Sequence, residues 1–310
     1  MGIVLMLTNV LSVNALDVIG EDAIVQPPSE TISVLKKDML SGEITQKNYV
    51  IGAEELAAVS AYEIPVMGDS VDPNIIVGGD NRNVVVNTTI TPYSAIGLIS
   101  VTFPTGHRVI GTAWLISPNV ALTAAHSIYD NAYGGWATDV TIWPGRNGAS
   151  SPFGSASSND IIMTQEFADA NEGNTSGVAN TGGFDWALIS FNSNIGEVCG
   201  TISYGYMTGF QSCSVRVSGY PGDYYDSNTG YWYQVESLGM ITAMDGDGIS
   251  FLHDADTDAG HSGSPLLRTD TNTAIGLNYG NNGTVNCAVR FTPEICSVFN
   301  EFINESMIFG

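Results

Sequence analysis

Charge is scarce in this sequence, and positive charge above all. Only 13% of its 310 residues are Asp, Glu, Lys or Arg, and 9 basic residues face 32 acidic ones, a formal net charge of −23 at pH 7. So acidic a chain repels polyanions, which argues against nucleic acid and anionic membranes as partners. Long apolar runs are missing as well. The longest, Gly2 to about Val13, is well short of the ~20 residues that span a bilayer, so no membrane partner is expected. Cysteine is limited to Cys199, Cys213, Cys287 and Cys296, with no CxxC and no Cys/His cluster. That leaves nothing resembling a zinc site, and no metal is expected. Glycine, in contrast, is abundant at 35 residues, and with low charge this favours a turn-rich β protein over helices.

The amino terminus reads MGIVLMLTNVLSVNALD. A short apolar run followed by the small-residue pattern Val13-Asn14-Ala15 predicts a signal peptide over residues 1–15 and export of the chain. An exported chain can pair its cysteines, and their spacing suggests disulfides 199–213 and 287–296, one of three possible connectivities. Residues 16–74 differ in composition from the rest of the chain. They hold all three lysines, Lys36, Lys37 and Lys47, and no tryptophan or cysteine. They also contain the helix-like GAEELAAVSAY. This shift fits a removable pro-segment ahead of a secreted domain over 75–310; a small domain that stays attached is the alternative reading.

From Ile75 onward, short apolar or alternating runs such as AIGLISVTF, VTIWPG, DWALISF, SVRVSGYPG and TAIGLNYG are separated by Gly, Pro, Asn and Asp. Many short strands with frequent turns predict an all-β barrel or sandwich. The end differs. In TPEICSVFNEFINES, Thr292 caps, Pro293 suits the first helical position, and Ile295, Val298, Phe299, Phe302 and Ile303 share one face, so a helix is expected over about 293–305.

The stretch HDADTDAGHSGSPLL, from His253 to Leu267, carries the densest chemistry. Asp254, Asp256 and Asp258 mimic the start of a calcium loop, but the sixth position is Ala259 and the twelfth Pro265, where that loop needs glycine and glutamate. The catalytic reading needs a nucleophile, a base, an acid to orient it, and oxyanion donors. Gly260 and Gly263 flank Ser262, and glycines there let two backbone N–H groups converge on one point. Among four histidines, His126 is best placed as base, at the end of WLISPNVALTAAH. His107 lies in a polar turn, and sequence adjacency alone does not bring His253 or His261 onto the Ser262 hydroxyl. Asp185, between Phe184 and Trp186 at the mouth of an apolar strand, is costly to bury without a partner.

Taken together, TAAHS, FDWALI and GHSGSP, in that order, resemble the trypsin-like serine proteases. More narrowly, NTTITPYSAI, WPGRNG, VSGYPGD and DTDAGHSGSP resemble the secreted bacterial glutamyl endopeptidases, from about Ile75 to the terminal helix. The resemblance implies a chymotrypsin-like double antiparallel β-barrel, a serine endopeptidase active on proteins or peptides as a monomer, and no required cofactor. It implies His126 as base, Asp185 as its orienting partner and Ser262 as nucleophile. The N–H groups of Gly260 and Ser262 would form the oxyanion hole, with Thr257 in the specificity pocket. It also implies that the pro-segment is cut near Ile75.

Three departures stand out. His261 occupies the place of the aspartate that pairs with the new amino terminus in trypsins. Ser127 replaces a cysteine often found after the catalytic histidine. Asn278 stands where glutamyl endopeptidases carry a pocket histidine, so a weakened preference for glutamate is expected. A serine endopeptidase of different specificity, a protease fold used only for binding, and a calcium-dependent structural module are the competing readings.

Overall fold

The computed structural model describes residues 30–52, 79–174, 181–246, 248–282 and 284–308. The expected signal peptide, the helix-like stretch from Ala53 and the expected cleavage point near Ile75 lie outside them. The first described elements are β1 (Glu30–Asp38) and β2 (Ile44–Ile51), an antiparallel hairpin, followed by the short β3 (Asn83–Val84).

Two six-stranded barrels come next, as the fold class anticipated. The first is built from β4 (Ile96–Thr102), β5 (Arg108–Leu115), β6 (Val120–Thr123), β7 (Asp139–Pro144), β8 (Ala156–Thr164) and β9 (Ala187–Phe191). Its strands run in the order β9-β6-β5-β4-β7-β8, and pairing of β8 with β9 closes it. The second barrel uses β10 (Ser214–Gly219), β11 (Val235–Met244), β12 (Ser250–His253), β13 (Pro265–Arg268), β14 (Ala274–Asn281) and β15 (Asn286–Arg290). Here the order is β10-β13-β14-β15-β12-β11, closed by β10 on β11, with β3 added outside β11.

The period-2 geometry of strands explains why some runs are apolar throughout and others alternate. On β4, Ile99 and Val101 enter the first barrel's interior, whereas Ile96 and Leu98 join the core between the barrels. β5 and β9 divide the same way: Ala113, Leu115, Ala187 and Ile189 point inside, Trp114 and Leu188 toward the seam. Strand β11 has one wet face, and its buried positions alternate along most of its length.

The terminal helix α1 (Pro293–Ile308) closes the seam. It begins at the predicted Pro293, with Thr292 Oγ1 accepting from Ile295 N at 3.3 Å, and runs about a turn beyond the expected end. Phe299 meets Trp186 edge-on at 5.4 Å and Phe291 at 5.3 Å. Each such fully buried side chain contributes roughly 1.5–3 kcal/mol, an upper estimate for a real unfolded chain.

One expectation needs correction. All four cysteines are buried as thiols, so neither 199–213 nor 287–296 forms. Cys199 belongs to the first barrel's core, Cys213 to the second barrel's, and Cys296 to the core between them. Spacing along the chain brought together residues that the fold assigns to separate cores. Residues 30–51, which the sequence left without a secondary-structure reading, form two strands. They extend the first barrel: β1 pairs with β8 from Val34↔Thr164 to Asp38↔Asp160. Among the described residues, no helix is long and apolar enough to cross a membrane.

Candidate active site

His126 lies on a 3-10 turn (Ala125–Ser127) just after β6. Its backbone N–H donates to Asp185 Oδ1 at 2.9 Å, and its ring Nδ1 lies 2.6 Å from Asp185 Oδ2. Asp185 thus spends both oxygens on one residue and is itself only 5% exposed. An ionised carboxylate can only accept, so Nδ1 carries the proton and Nε2 is left as the basic nitrogen. Burial, the largest single influence, pushes the imidazole pKa down. The charge and hydrogen bond of Asp185, helped by Asp130, outweigh it and leave His126 above its ordinary value. Asp185 follows a turn at Gly182–Phe184, which Thr164 fastens by donating its hydroxyl to Phe184 O at 2.8 Å.

Ser262 sits half-buried on the turn before β13. The backbone N–H groups around it divide into two sets. His261 donates to Asp258 O, Gly263 to Asn278 O and Ser264 to His261 O. Those of Gly260 and Ser262 donate to nothing among the described residues. Two glycines make this turn possible. Gly260 has φ +100° and a Cβ there would lie 2.4 Å from Tyr220 O; Gly263 has φ +86° and a Cβ would lie 2.1 Å from Thr112 O. Any side chain at either place would be strained and would collide with backbone.

Thr112, buried on β5, fastens the Ser262 turn to the first barrel. Its N–H donates to Ser262 O at 3.2 Å. Its hydroxyl donates to Gly260 O at 2.8 Å and accepts from Tyr220 N at 3.0 Å. Its carbonyl accepts from Thr123 Oγ1 at 2.8 Å. Gly263 also packs close to Ala124, two residues before His126. The three residues singled out in the sequence are therefore held on adjoining turns of the two barrels.

The two residues expected in the specificity pocket differ in exposure. Thr257 is half-buried, while Asn278 is 2% exposed. Asn278 Nδ2 donates to His261 O at 3.2 Å, so its Oδ1, 3.1 Å from His253 Nε2, must accept from that ring. One lone pair of the amide oxygen is thereby committed. His253 Nδ1 and His261 Nε2 are buried with no hydrogen-bond partner among the described residues. Burial holds His253 down to about 4 and His261 down to about 3, the latter helped by Arg82. Both rings are neutral at pH 7.

The aspartate run also finds partners. Asp254 accepts from Met240 N at 2.5 Å, Asp256 from Asn81 N at 2.8 Å, and Asp258 from Ala259 N at 2.7 Å. Among the described residues, no group of three or more His, Cys, Asp or Glu side chains is arranged to hold a metal ion. Sequence reasoning missed Thr112 and the role of His253. A histidine in the apolar run SFLH was a usable signal, since a buried ring needs a partner. A threonine within a strand gives no comparable sign.

Known proteins place this arrangement. Residues 111–277, more than half of the chain, match the pattern of the trypsin-like peptidase domain. This chain belongs to the trypsin-like peptidase family. It is 33% identical over 233 residues to the glutamyl endopeptidase of Bacillus licheniformis, covering 71% of this chain and 66% of that protein, slightly under two thirds. It is 28% identical over 244 residues to a protein of Bacillus subtilis named extracellular metalloprotease, covering 76% and 72%. The solved structure of a Glu endopeptidase in complex with MPD superposes with a TM-score of 0.62 at 28% identity, covering 73% of this chain and 98% of that one. For a trypsin-like peptidase, two closed antiparallel barrels are the expected frame, and both likenesses to glutamyl endopeptidases support a serine endopeptidase. The metal that the Bacillus subtilis protein's name implies does not fit the described side chains here.

Proposed function

We propose that this chain is a secreted serine endopeptidase that cleaves proteins or peptides through an acyl-enzyme. The observation that carries this reading is the His126–Asp185 pair at 2.6 Å, beside a half-exposed serine whose neighbouring N–H groups at 260 and 262 are unspent. His126 Nε2 takes the hydroxyl proton as Ser262 Oγ bonds to the scissile carbonyl carbon. The carbonyl oxygen becomes an oxyanion held by the N–H groups of Gly260 and Ser262. The C–N bond then breaks as His126 returns its proton to the leaving amine. Water, deprotonated by the same nitrogen, attacks the ester, and its collapse frees the acid and restores Ser262. Asp185 keeps Nδ1–H in place and stabilises the imidazolium. No cofactor takes part.

The preferred substrate has glutamate before the cleaved bond, with Thr257 and Asn278 as its contacts and with weaker selectivity than a charged histidine at 278 would give. Export by residues 1–15 and cutting near Asn74–Ile75–Ile76 precede activity, and the mature enzyme acts as a monomer. Asn81, bonded to Asp256 beside Thr257, supports a mature start that runs close to the specificity loop.

The test is intact-mass analysis after reaction with a serine-directed phosphonate, alongside digestion of a peptide library. A single adduct on Ser262 and cleavage after glutamate are expected. An unmodified Ser262 with an uncut library would refute the catalytic reading. Amino-terminal sequencing of secreted protein tests the cut; residues 16–74 still covalently attached to fully active enzyme would overturn it.

A further inference from the structure

The hairpin of β1 and β2 is built into the catalytic body more deeply than a removable segment requires. Val34, Tyr49 and Ile51 are almost wholly buried and belong to the same core as Trp186, Phe299 and Phe302. Together β1 and β2 make the first barrel's sheet eight-stranded. The charges agree. The hairpin carries every lysine of the chain, and each finds a partner on the body. Lys36 lies 3.2 Å from Asp160, Lys37 Nζ donates to Ala137 O at 2.6 Å, and Lys47 pairs with Glu305 on α1. Three lysines against Glu30, Asp38 and Glu43 leave the hairpin formally neutral in a chain of net charge −23.

Its position also bears on the site. Val34 is in register with Thr164, and Thr164 fastens Phe184 O, one residue before Asp185. Glu30 and Ile32 line a cleft with Phe184 and Trp186, the two residues flanking that aspartate. The hairpin thus backs the turn from which Asp185 reaches His126.

We propose that residues 30–51 are a resident part of the enzyme. After the chain is cut between the hairpin and the first barrel, they remain bound without a covalent link and brace the Asp185 turn. Retention rests on the packing alone, while the brace rests on the endopeptidase reading given above. A displacement of about 1 Å at a catalytic group costs on the order of a hundredfold in rate, so a loosened Asp185 turn should be visible in kcat.

The experiment uses the whole chain with residues 69–74 replaced by the recognition sequence of an added site-specific protease. In one sample Ser262→Ala prevents self-cutting. After the cut, gel filtration with intact-mass analysis should show hairpin and body eluting together in equal amounts. A lysine-specific endopeptidase, whose only targets are Lys36, Lys37 and Lys47, should leave the assembly uncut. A hairpin that elutes alone, or lysines cut at once, overturns retention whether or not the natural chain matures at residue 75. In a second sample, with Ser262 intact, the hairpin is stripped in mild urea and the body returned to buffer. Casein digestion should then show kcat reduced at least about tenfold with KM unchanged, restored by adding a synthetic peptide of residues 30–51. An unchanged kcat without the hairpin overturns the brace. Should the stripped body unfold, Ile32→Ala in the intact chain serves instead: kcat should fall at constant KM and the acid limb of the pH profile should move, and unchanged values overturn the brace. Casein left uncut by every sample while the hairpin co-elutes would count against the endopeptidase reading and leave retention standing.

Discussion

His253 on β12 and Asn278 on β14 are joined through their side chains at 3.1 Å, although β15 lies between their strands in the sheet. This bond occupies the carbonyl of Asn278 and turns its NH2 toward His261 O. An amide fixed this way can donate its second N–H to a carboxylate, while its oxygen keeps a single lone pair for a glutamine side chain.

The selectivity of the pocket should follow from that bond. Hydrogen bonds to charged groups are worth roughly 1.5–3 kcal/mol against about 1 for neutral ones. The ratio of kcat/KM for paired Glu and Gln peptides should therefore favour Glu, about tenfold less than with histidine at 278. Asn278→His should raise the ratio. His253→Phe, which frees the Asn278 carbonyl, should lower it. Strong cleavage after lysine, arginine or large aromatics, with Asn278→His neutral, would mean a pocket of another kind.

Ser262→Ala or His126→Ala should each reduce kcat by on the order of a million-fold, and Asp185→Ala by about ten-thousandfold, since members of such a unit do not act additively. Circular dichroism should show all three folded. Wild-type turnover in Ser262→Ala together with loss in Ser264→Ala would assign the nucleophile to the wrong serine.

The pH profile should report His126. The base acts when neutral, so kcat/KM should rise with pH through an apparent pKa above the ordinary 6.5. Asp185→Asn, which removes the largest raising influence, should move that limb downward. The same shift affects stability with the opposite sign. The protonated pair stabilises the fold below pH 6.5, and this contribution disappears as pH rises through the raised value.

Acid should destabilise the protein well before carboxylates titrate. His253 and His261 are held neutral by burial, down to about 4 and about 3, whereas in the unfolded chain they take up protons near 6.5. Their contribution is complete above pH 6.5 and is lost as pH falls toward those values, about 3 kcal/mol or more for each ring. Urea midpoints between pH 7 and 4 measure it. His253→Gln should flatten the slope, and an unchanged slope would rule out His253 as its source.

Thr112→Val should remove the hydroxyl that serves both Gly260 O and Tyr220 N. Leaving a buried N–H and carbonyl unpaired costs about 1–3 kcal/mol each. The expected result is a larger loss in kcat/KM than in thermal stability. Equal losses would point to a purely structural role.

The fold was legible because its determinants are local. Alternation in AIGLISVTF, continuous burial in DWALISF, and the Thr292–Pro293 start of the helix each announce themselves within a few residues. The candidate site residues stood out for a related reason: glycine, serine, histidine and aspartate at strand ends carry specific chemical demands. What stayed hidden depends on contacts between distant segments. Cys199 and Cys213 are close in sequence, but belong to different barrels. β1 is recognisable only once β8 offers it an edge. His253 and Asn278 share a bond that no spacing rule suggests.

Thr112 gives one residue of the first barrel a hold on the Ser262 turn of the second at two points, Ser262 O and Gly260 O. Each barrel is closed on its own hydrogen bonds, so neither depends on this seam for its integrity. Slippage along the seam would misalign the reacting groups while leaving both cylinders intact. Heat or denaturant should then extinguish turnover ahead of any loss of circular dichroism, and turnover itself becomes a gauge of how the two halves are seated.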